Sequence, residues 1–147
     1  MGTAGSLSLL QESHDPLLVI NGDILTKVDF RAMVDFHNEH EAEMTVAVRP
    51  HEVAVPYGVV ETDGAMITGI TEKPTLRHFI NAGIYLLNPN VCRLVPERQK
   101  YDMPDLIQRL ISEGRRVVSF PVHEYWLDIG QIHDYERAQS DAVKKES

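Results

Sequence analysis

The sequence predicts an α/β fold in which helices alternate with the strands of a mixed sheet that carries an inserted β-hairpin. Short apolar runs typical of strands alternate along the chain with amphipathic segments of helical spacing. Within that alternation, the Asp-Gly pair at 63–64 separates two segments rich in β-branched residues, which indicates a tight hairpin. The chain has 147 residues, which is the length of about one domain.

The first part of the chain is predicted to contain a helix over residues 3–13, followed by a strand, a second helix and a second strand. Leu17–Ile20 consists of four aliphatic residues, which is typical of a strand buried on both faces. Asp29 is suited to cap the next helix, whose apolar face includes His37. A strand is predicted over 44–48, and the proline two residues later is expected to end it.

The rest of the chain is predicted to continue the alternation. In order, the predicted elements are hairpin strands at 58–62 and 65–68, a strand at 80–87, a short helix after Asn88, a helix at 103–113, a strand at 116–120 and a helix at 131–144. Asp102 is suited to cap the helix at 103–113, and Gly114 is suited to end it.

Composition excludes several classes of function. A net charge of −8 argues against binding to a nucleic-acid polymer, because a basic surface supplies most of that affinity. No apolar run reaches the roughly 18 residues that a membrane span needs, and the first residues do not form a secretory signal. Cys92 is the only cysteine and is predicted to be a small buried residue. We therefore expect a cytoplasmic protein that binds no membrane.

Two aspartates in similar positions are the candidate metal ligands. Asp23 follows the apolar run 17–20 through Gly22, at a strand end where α/β sheets bind ligands. Asp128 lies inside the apolar segment 126–130, where a carboxylate is rare unless it is paired or bound to a metal. Together they indicate a divalent cation held against a phosphate-bearing ligand.

Other polar positions are less specific. Asn81 and Gly83 interrupt an apolar strand, which costs strand propensity and core packing. A hydrogen bond from Asn81 to a ligand hydroxyl would explain that cost. Lys73 could neutralise a phosphate, although a solvated lysine is the ordinary interpretation. The histidines have no metal-ligand spacing, and His37 and His40 are interpreted as a solvated flank of one helix.

Taken in order, six short motifs resemble the sugar-1-phosphate nucleotidylyltransferase family, and most closely its mannose-1-phosphate guanylyltransferase branch. The motifs are Gly-Thr-Ala-Gly at 2–5, Asn-Gly-Asp at 21–23, Tyr-Gly-Val-Val at 57–60, Glu-Lys-Pro at 72–74, Asn-Ala-Gly at 81–83 and Trp-Leu-Asp-Ile-Gly at 126–130. The resemblance implies a Rossmann-like sheet of the nucleotide-diphospho-sugar transferase type. It also implies a reaction in which a sugar 1-phosphate attacks the α-phosphorus of a nucleoside triphosphate and releases pyrophosphate.

The resemblance assigns roles to residues by their place in the motifs. Asp23 and Asp128 would hold Mg²⁺ and, with Lys73 at the sugar phosphate, form the catalytic group. The substrate-binding positions would be Gly2 and Thr3 at the nucleobase and, around the sugar, Asn21, Gly58, Glu72, Asn81 and Gly83.

One family motif is not matched. The family begins with a strand and a triphosphate-binding loop of the pattern G-G-x-G-x-R-L, which has no counterpart in this sequence. We therefore expect residues 1–147 to be an amino-terminally truncated, partial catalytic domain. On its own it is expected to show little or no transferase activity in a pyrophosphate-release assay. The sheet edge left by a missing strand would favour self-association, and a homo-oligomer is one possible outcome.

Two alternatives stay open, and a third is disfavoured. A phosphatase of the haloacid-dehalogenase type is disfavoured, because Asn21 stands where that class needs a nucleophilic aspartate. A metal-dependent glycosyltransferase would also bind a sugar nucleotide, but the motifs at 72–74 and 81–83 favour nucleotidyl transfer. A regulatory domain could bind a sugar phosphate without catalysis.

Overall fold

A computed structural model describes residues 14–96, 101–132 and 136. Its elements are β1 (Leu17–Ile20), β2 (Ile24–Thr26), α1 (Phe30–Glu39), β3 (Met44–Ala54), β4 (Val59–Asp63), β5 (Met66–Thr71), β6 (Thr75–Leu87), α2 (Pro89–Cys92), α3 (Met103–Ser112), β7 (Val117–Pro121) and β8 (Trp126–Asp128). Residues 129–132 and 136 are also helical. The helix predicted at 3–13, and most of the one predicted at 131–144, lie outside the described residues.

The strands form one larger sheet and two small ones. The larger sheet has four strands in the order β1-β6-β3-β7. Strands β3 and β7 run parallel, whereas β6 is antiparallel to both β1 and β3, so the sheet is mixed as predicted. The predicted hairpin is present as the β4–β5 pair, and β2 pairs with β8. None of the helices in the described ranges has the length and apolar character needed to span a membrane.

Helices pack on both faces of the larger sheet because side chains alternate along its strands. On β6, Tyr85 and Leu87 join a core cluster that includes Leu106 of α3. Ile84 and Leu86 point to the other face and join a second cluster that includes Met33 of α1. Cys92 is buried in the first cluster, which confirms its predicted place.

The prediction that β1 is buried on both faces is wrong. Within the described residues β1 pairs only with β6 and lies at the edge of the sheet. Leu18 and Ile20 are each 39% exposed, while Leu17 and Val19 pack against the core. An aliphatic run has the same appearance in an edge strand and in a central strand, because the pattern carries no information about neighbouring strands.

The end of β3 also differs from the prediction. Strand β3 passes through Pro50, which pairs with Phe79, and continues to Ala54, so the predicted stop is wrong. The pairing of β7 with β3 ends at Val48, which leaves one side of β3 unpaired among the described residues beyond that point. Proline is tolerated there, because its missing N–H can face the unpaired side.

The hairpin loop is one residue later than predicted. Asp63 pairs with Met66, so the loop consists of Gly64 and Ala65 instead of Asp63 and Gly64. Gly64 has a φ of 57°, the left-handed conformation that glycine adopts without steric cost.

His37 is buried in the core, so its interpretation as part of a solvated helix flank is wrong. It is 1% exposed, and its ring nitrogens lie 2.7 Å from Thr45 Oγ1 and 2.7 Å from Asn88 Oδ1. The Asn88 Nδ2 group donates to the Ala42 carbonyl, so Oδ1 accepts and the imidazole Nε2 carries the proton. Asn88 occupies the predicted N-cap position of α2 but makes no side-chain capping hydrogen bond.

Candidate active site

A cavity of about 440 Å³ opens where β1 ends and β2 begins, a size typical of small-molecule sites. Its lining combines two asparagines, a tyrosine and three carboxylates with an apolar remainder. The polar lining residues are Asn21, Asp23, Asn81, Tyr85, Asp102 and Asp128. Among the described residues that line it there is no lysine or arginine. The cavity is therefore electronegative and better suited to a cation than to an unaccompanied anion.

The two predicted metal ligands lie close together at this cavity. Strand pairing sets Ile24 opposite Asp128, and the Ile129 N–H donates to the Asp23 carbonyl at 2.8 Å. A methyl group added at Gly130 would lie 3.0 Å from Asp23 Oδ2 and 3.2 Å from Asp128 Oδ1. The two carboxylate oxygens are thus no further apart than the sum of these distances, and the missing side chain of Gly130 leaves the space between them open.

The chemistry of this pair fits magnesium. No group of three or more His, Cys, Asp or Glu in the described part of the chain could hold a metal ion. Mg²⁺ does not require such a cage, because it is usually bound by one or two carboxylates together with water and substrate phosphate oxygens. Asp128 is also held in place by its loop, since Oδ1 accepts the Gln131 N–H at 3.3 Å.

Beside the carboxylates, two amides converge on a buried phenol. Asn81 Nδ2 donates to the Tyr85 hydroxyl at 2.8 Å, and the Asn21 side chain also hydrogen-bonds to it. Burial raises the pKa of Tyr85, and the two amides oppose this shift. The phenol is 2% exposed and stays protonated at neutral pH. Since both asparagines donate to its oxygen, its own proton is available to an acceptor in the cavity.

An irregularity in β6 places Asn81 at the cavity. The register jumps from Val46–Tyr85 to Val48–Asn81, so residues 82–84 stand opposite Ala47 alone. Gly83 has a φ of 74°, and its N–H donates to Asn81 Oδ1 at 2.8 Å. The bulge therefore depends on a glycine.

Gly83 also allows a close approach from the neighbouring loop. A methyl group at Gly83 would lie 2.9 Å from Asn21 Nδ2, and the Asn21 N–H donates to the Gly83 carbonyl at 2.9 Å. Gly83 therefore packs the asparagine loop against β6 and sets the position of both amides.

Trp126 forms another wall of the cavity and is fixed on two sides. Its indole N–H donates to the Ala82 carbonyl at 2.7 Å. The Arg49 guanidinium lies 4.8 Å from the ring centroid and donates to the Trp126 carbonyl at 3.1 Å. Because Trp126 begins β8, these contacts also position the strand that ends at Asp128.

The remaining predicted site residues form a second group at the base of the hairpin. A methyl group at Gly58 would lie 3.3 Å from Glu72 Oε2. Lys73 has a φ of 42° and donates its N–H to the Tyr57 carbonyl at 3.2 Å. These residues do not line the cavity described above. Gly2 and Thr3 lie outside the described residues.

Sequence reasoning missed three residues of the site as site residues. The sequence predicts only a strand position for Tyr85, a helix cap for Asp102 and a place in the motif at 126–130 for Gly130, whereas the structure places all three at the site. One sequence signal was available for Tyr85. It follows the Asn-Ala-Gly motif by two residues, and a buried tyrosine needs a polar partner.

Comparison with known proteins relates the chain to one group of enzymes. The nucleotidyl transferase family model matches residues 2–145. Mannose-1-phosphate guanyltransferase of Schizosaccharomyces pombe is 33% identical over 144 residues, which cover 92% of this chain and 39% of that protein. UTP–glucose-1-phosphate uridylyltransferase of Synechocystis is 33% identical over an alignment 159 residues long. The alignment covers 99% of this chain and 41% of that protein. The chain spans about two fifths of the length of these curated relatives.

A solved structure shows the same fold. HddC from Yersinia pseudotuberculosis superposes with a TM-score of 0.62 at 23% identity, over 95% of this chain and 62% of that chain. This likeness confirms the predicted fold class.

Proposed function

The chain belongs to the nucleotidyl transferase family, and on that premise we propose that it takes part in transferring a nucleoside monophosphate from a nucleoside triphosphate to a sugar 1-phosphate. In this reaction a phosphate oxygen of the sugar 1-phosphate forms a bond to the α-phosphorus. The bond from that phosphorus to the bridging oxygen breaks, and pyrophosphate leaves. The products are a nucleoside diphosphate sugar and pyrophosphate.

The observation that carries the proposal is the pair of carboxylates facing the open space at Gly130. Asp23 and Asp128 would hold Mg²⁺, which supplies charge neutralisation and alignment of phosphates when bound. The pair leaves coordination positions for substrate oxygens, as nucleotidyl transfer requires. Positioning and electrostatics can carry such a reaction without a covalent protein intermediate.

The uncharged donors around the cavity would bind and orient the sugar. The Tyr85 hydroxyl and the amides of Asn21 and Asn81 are set by one another, so they present donors at fixed positions. Fixed donors distinguish sugar epimers, because an unmatched buried donor is costly. By the family pattern, Gly58, Glu72 and Gly83 would contact the sugar, Lys73 its phosphate, and Gly2 and Thr3 the nucleobase.

Binding calorimetry tests the proposal on the chain itself. The names of the relatives suggest mannose 1-phosphate and glucose 1-phosphate as ligands. We expect Mg²⁺-dependent binding of at least one of them, weakened at least about tenfold by Asp23→Asn and by Asp128→Asn. Asp35→Asn removes the same charge from an exposed position of α1 and serves as the matched control. Absence of any Mg²⁺-dependent binding would contradict the proposal and support a regulatory domain.

The glycosyltransferase alternative predicts different substrates. It requires a nucleotide sugar and an acceptor, whereas the proposed reaction requires a sugar 1-phosphate and a nucleoside triphosphate. Glycosyl transfer from a nucleotide sugar would contradict the proposal, and the family match supports nucleotidyl transfer instead.

The proposal includes a cytoplasmic location, which is supported by Cys92, the single and buried cysteine of the chain. It also includes a homo-oligomer, which light scattering would test.

A further inference from the structure

A second cavity, of about 430 Å³, adjoins the candidate active site. The two cavities share Asn81, Trp126 and Asp128, so these residues form a common wall. The second cavity differs in charge, because Arg49 and His51 line it. Two side chains that can carry positive charge thus lie across a wall from the carboxylate pair.

Arg49 is held in a fixed orientation. Its Nη1 group donates to the Trp126 carbonyl at 3.1 Å, and its guanidinium carbon lies 4.8 Å from the indole centroid. Among the described residues this carbonyl is its one hydrogen-bond acceptor, so most of its five N–H groups are available to a ligand. A planar guanidinium that is already oriented loses little conformational freedom when it binds an oxyanion in a bidentate manner.

The neighbouring groups suit the same kind of ligand. His51 follows Arg49 by two residues on β3, so both side chains are on one face of the strand and reach the same cavity. Asp128 in the shared wall opposes an anion, so the attraction for a phosphate has to come mainly from the guanidinium of Arg49. By contrast, Lys73 lines neither cavity.

We infer that Arg49 and His51 form a phosphate-binding subsite in this second cavity, with the guanidinium of Arg49 as its main ligand. The identity of the molecule that carries this phosphate rests on the proposed function, in which that molecule is a sugar 1-phosphate. The sugar then contacts the amide and phenol donors of the first cavity, and its phosphate reaches Arg49 beside Asp128. Arg49 thereby replaces Lys73, which the family pattern assigns to this phosphate but which lines neither cavity. The subsite itself requires only the geometry of Arg49, His51 and Trp126.

The fluorescence of Trp126 provides the measurement, since it is the only tryptophan in the chain and lies in the shared wall. Titration with inorganic phosphate in the absence of metal is expected to give a saturable change. Arg49→Gln should weaken this binding at least about tenfold, the loss expected for a charge-assisted bidentate contact. Arg77→Gln removes the same charge from an exposed position of β6 outside both cavities and should bind phosphate like the wild type.

A second variant separates loss of the ligand contact from local disturbance of Trp126. His51→Gln leaves the contact of Arg49 with Trp126 in place and should still weaken phosphate binding, by about threefold or more. Titration with mannose and mannose 1-phosphate then isolates the contribution of the phosphate group. The wild type should prefer the phosphorylated sugar, and Arg49→Gln should remove most of that preference.

The outcomes distinguish the subsite from the proposed function. No saturable response of the wild type to phosphate, or equal binding by wild type and Arg49→Gln, would overturn the subsite. If Arg49→Gln leaves Mg²⁺-dependent sugar 1-phosphate binding unchanged, the assignment of the sugar phosphate to this subsite is overturned while the proposed function stands. If phosphate binding depends on Arg49 but no Mg²⁺-dependent sugar 1-phosphate binding occurs, the subsite stands and the proposed function fails.

Discussion

The hydroxyl of Tyr85 receives hydrogen bonds from two amides in the interior, at Asn81 and Asn21. Removing it with Tyr85→Phe would leave these N–H groups without their acceptor. We expect the free energy of unfolding to fall by about 1–3 kcal/mol, the cost of leaving polar groups unpaired near the core. Urea denaturation measures this change. The control is Tyr57→Phe at a 74% exposed position, where the change should stay within about 0.5 kcal/mol.

The same tyrosine predicts a dependence of stability on alkaline pH. Burial raises the pKa of Tyr85 above its ordinary value near 10, so the folded protein retains this proton more strongly than the unfolded chain does. Its contribution to stability is therefore complete below the unfolded pKa and declines as the pH rises toward the folded pKa. Tyr85→Phe should flatten the alkaline loss of stability. An identical alkaline profile in both proteins would contradict the assignment.

At the scale of elements, the bulge in β6 depends on Gly83 for its positive φ and for the close approach of Asn21. A matched pair of variants can separate these two contributions. Gly83→Ala would strain a φ of 74° and place a methyl group 2.9 Å from Asn21 Nδ2. Gly64→Ala strains a φ of 57° in the hairpin loop but meets no atom within 4 Å. We expect about 1–2 kcal/mol of destabilisation at Gly64 and a further 1–3 kcal/mol or so at Gly83. Equal losses in urea denaturation would show that the Asn21 contact is unimportant.

The ion pair between Glu43 and Arg115 joins the connections that precede β3 and β7, and it predicts that stability depends on pH in the acid range. Glu43 precedes β3 and accepts hydrogen bonds from Arg115, before β7, at 2.6 and 3.0 Å. The Arg115 hydrogen bond is the main reason that the pKa of Glu43 is lowered. A lowered folded pKa gives stability that is present above the unfolded pKa, near 4.5, and is lost as the pH falls through the folded pKa.

We expect Glu43→Gln to lose up to about 1 kcal/mol of stability at neutral pH and to show a weaker acid dependence. Urea denaturation between neutral and acid pH measures both effects. Glu39→Gln, at the exposed end of α1, should leave the profile unchanged. If Glu43→Gln still loses stability steeply at acid pH, other carboxylates dominate the acid dependence of stability.

Local patterns predicted most of the helices and strands, whereas the pairings between strands could not be read from them. Asp29 caps α1 as predicted, with its side chain accepting the Ala32 N–H. The edge position of β1, the passage of β3 through Pro50 and the β2–β8 pair depend on which distant segments meet. A single sequence carries little information on such pairings, because apolar strands of equal length are interchangeable in pattern.

At the scale of the whole molecule, the candidate site is assembled from segments far apart in the chain. The sequence predicts that Asp23 and Asp128 act together, and the β2–β8 pairing places them side by side. It could not show that Lys73 and Glu72 lie outside the cavity, because that depends on the path of the hairpin. The polar network around Tyr85 was missed for a similar reason, since Asn21 reaches it from another strand end.

Gly130 offers the sharpest test of that assembly, because a substitution there should disable the site while sparing the fold. In Gly130→Ala the methyl group would contact Asp23 Oδ2 and Asp128 Oδ1, which are the ends of side chains that can turn aside. Stability should therefore change little, while Mg²⁺-dependent binding of sugar 1-phosphate weakens at least about tenfold through displaced carboxylates. Gly22→Ala, beside Asp23 but with no atom within 4 Å of the added methyl group, should bind like the wild type. Trp126 fluorescence measures binding and urea denaturation measures stability. Unchanged binding in Gly130→Ala would mean that the space between the two carboxylates is not the metal position.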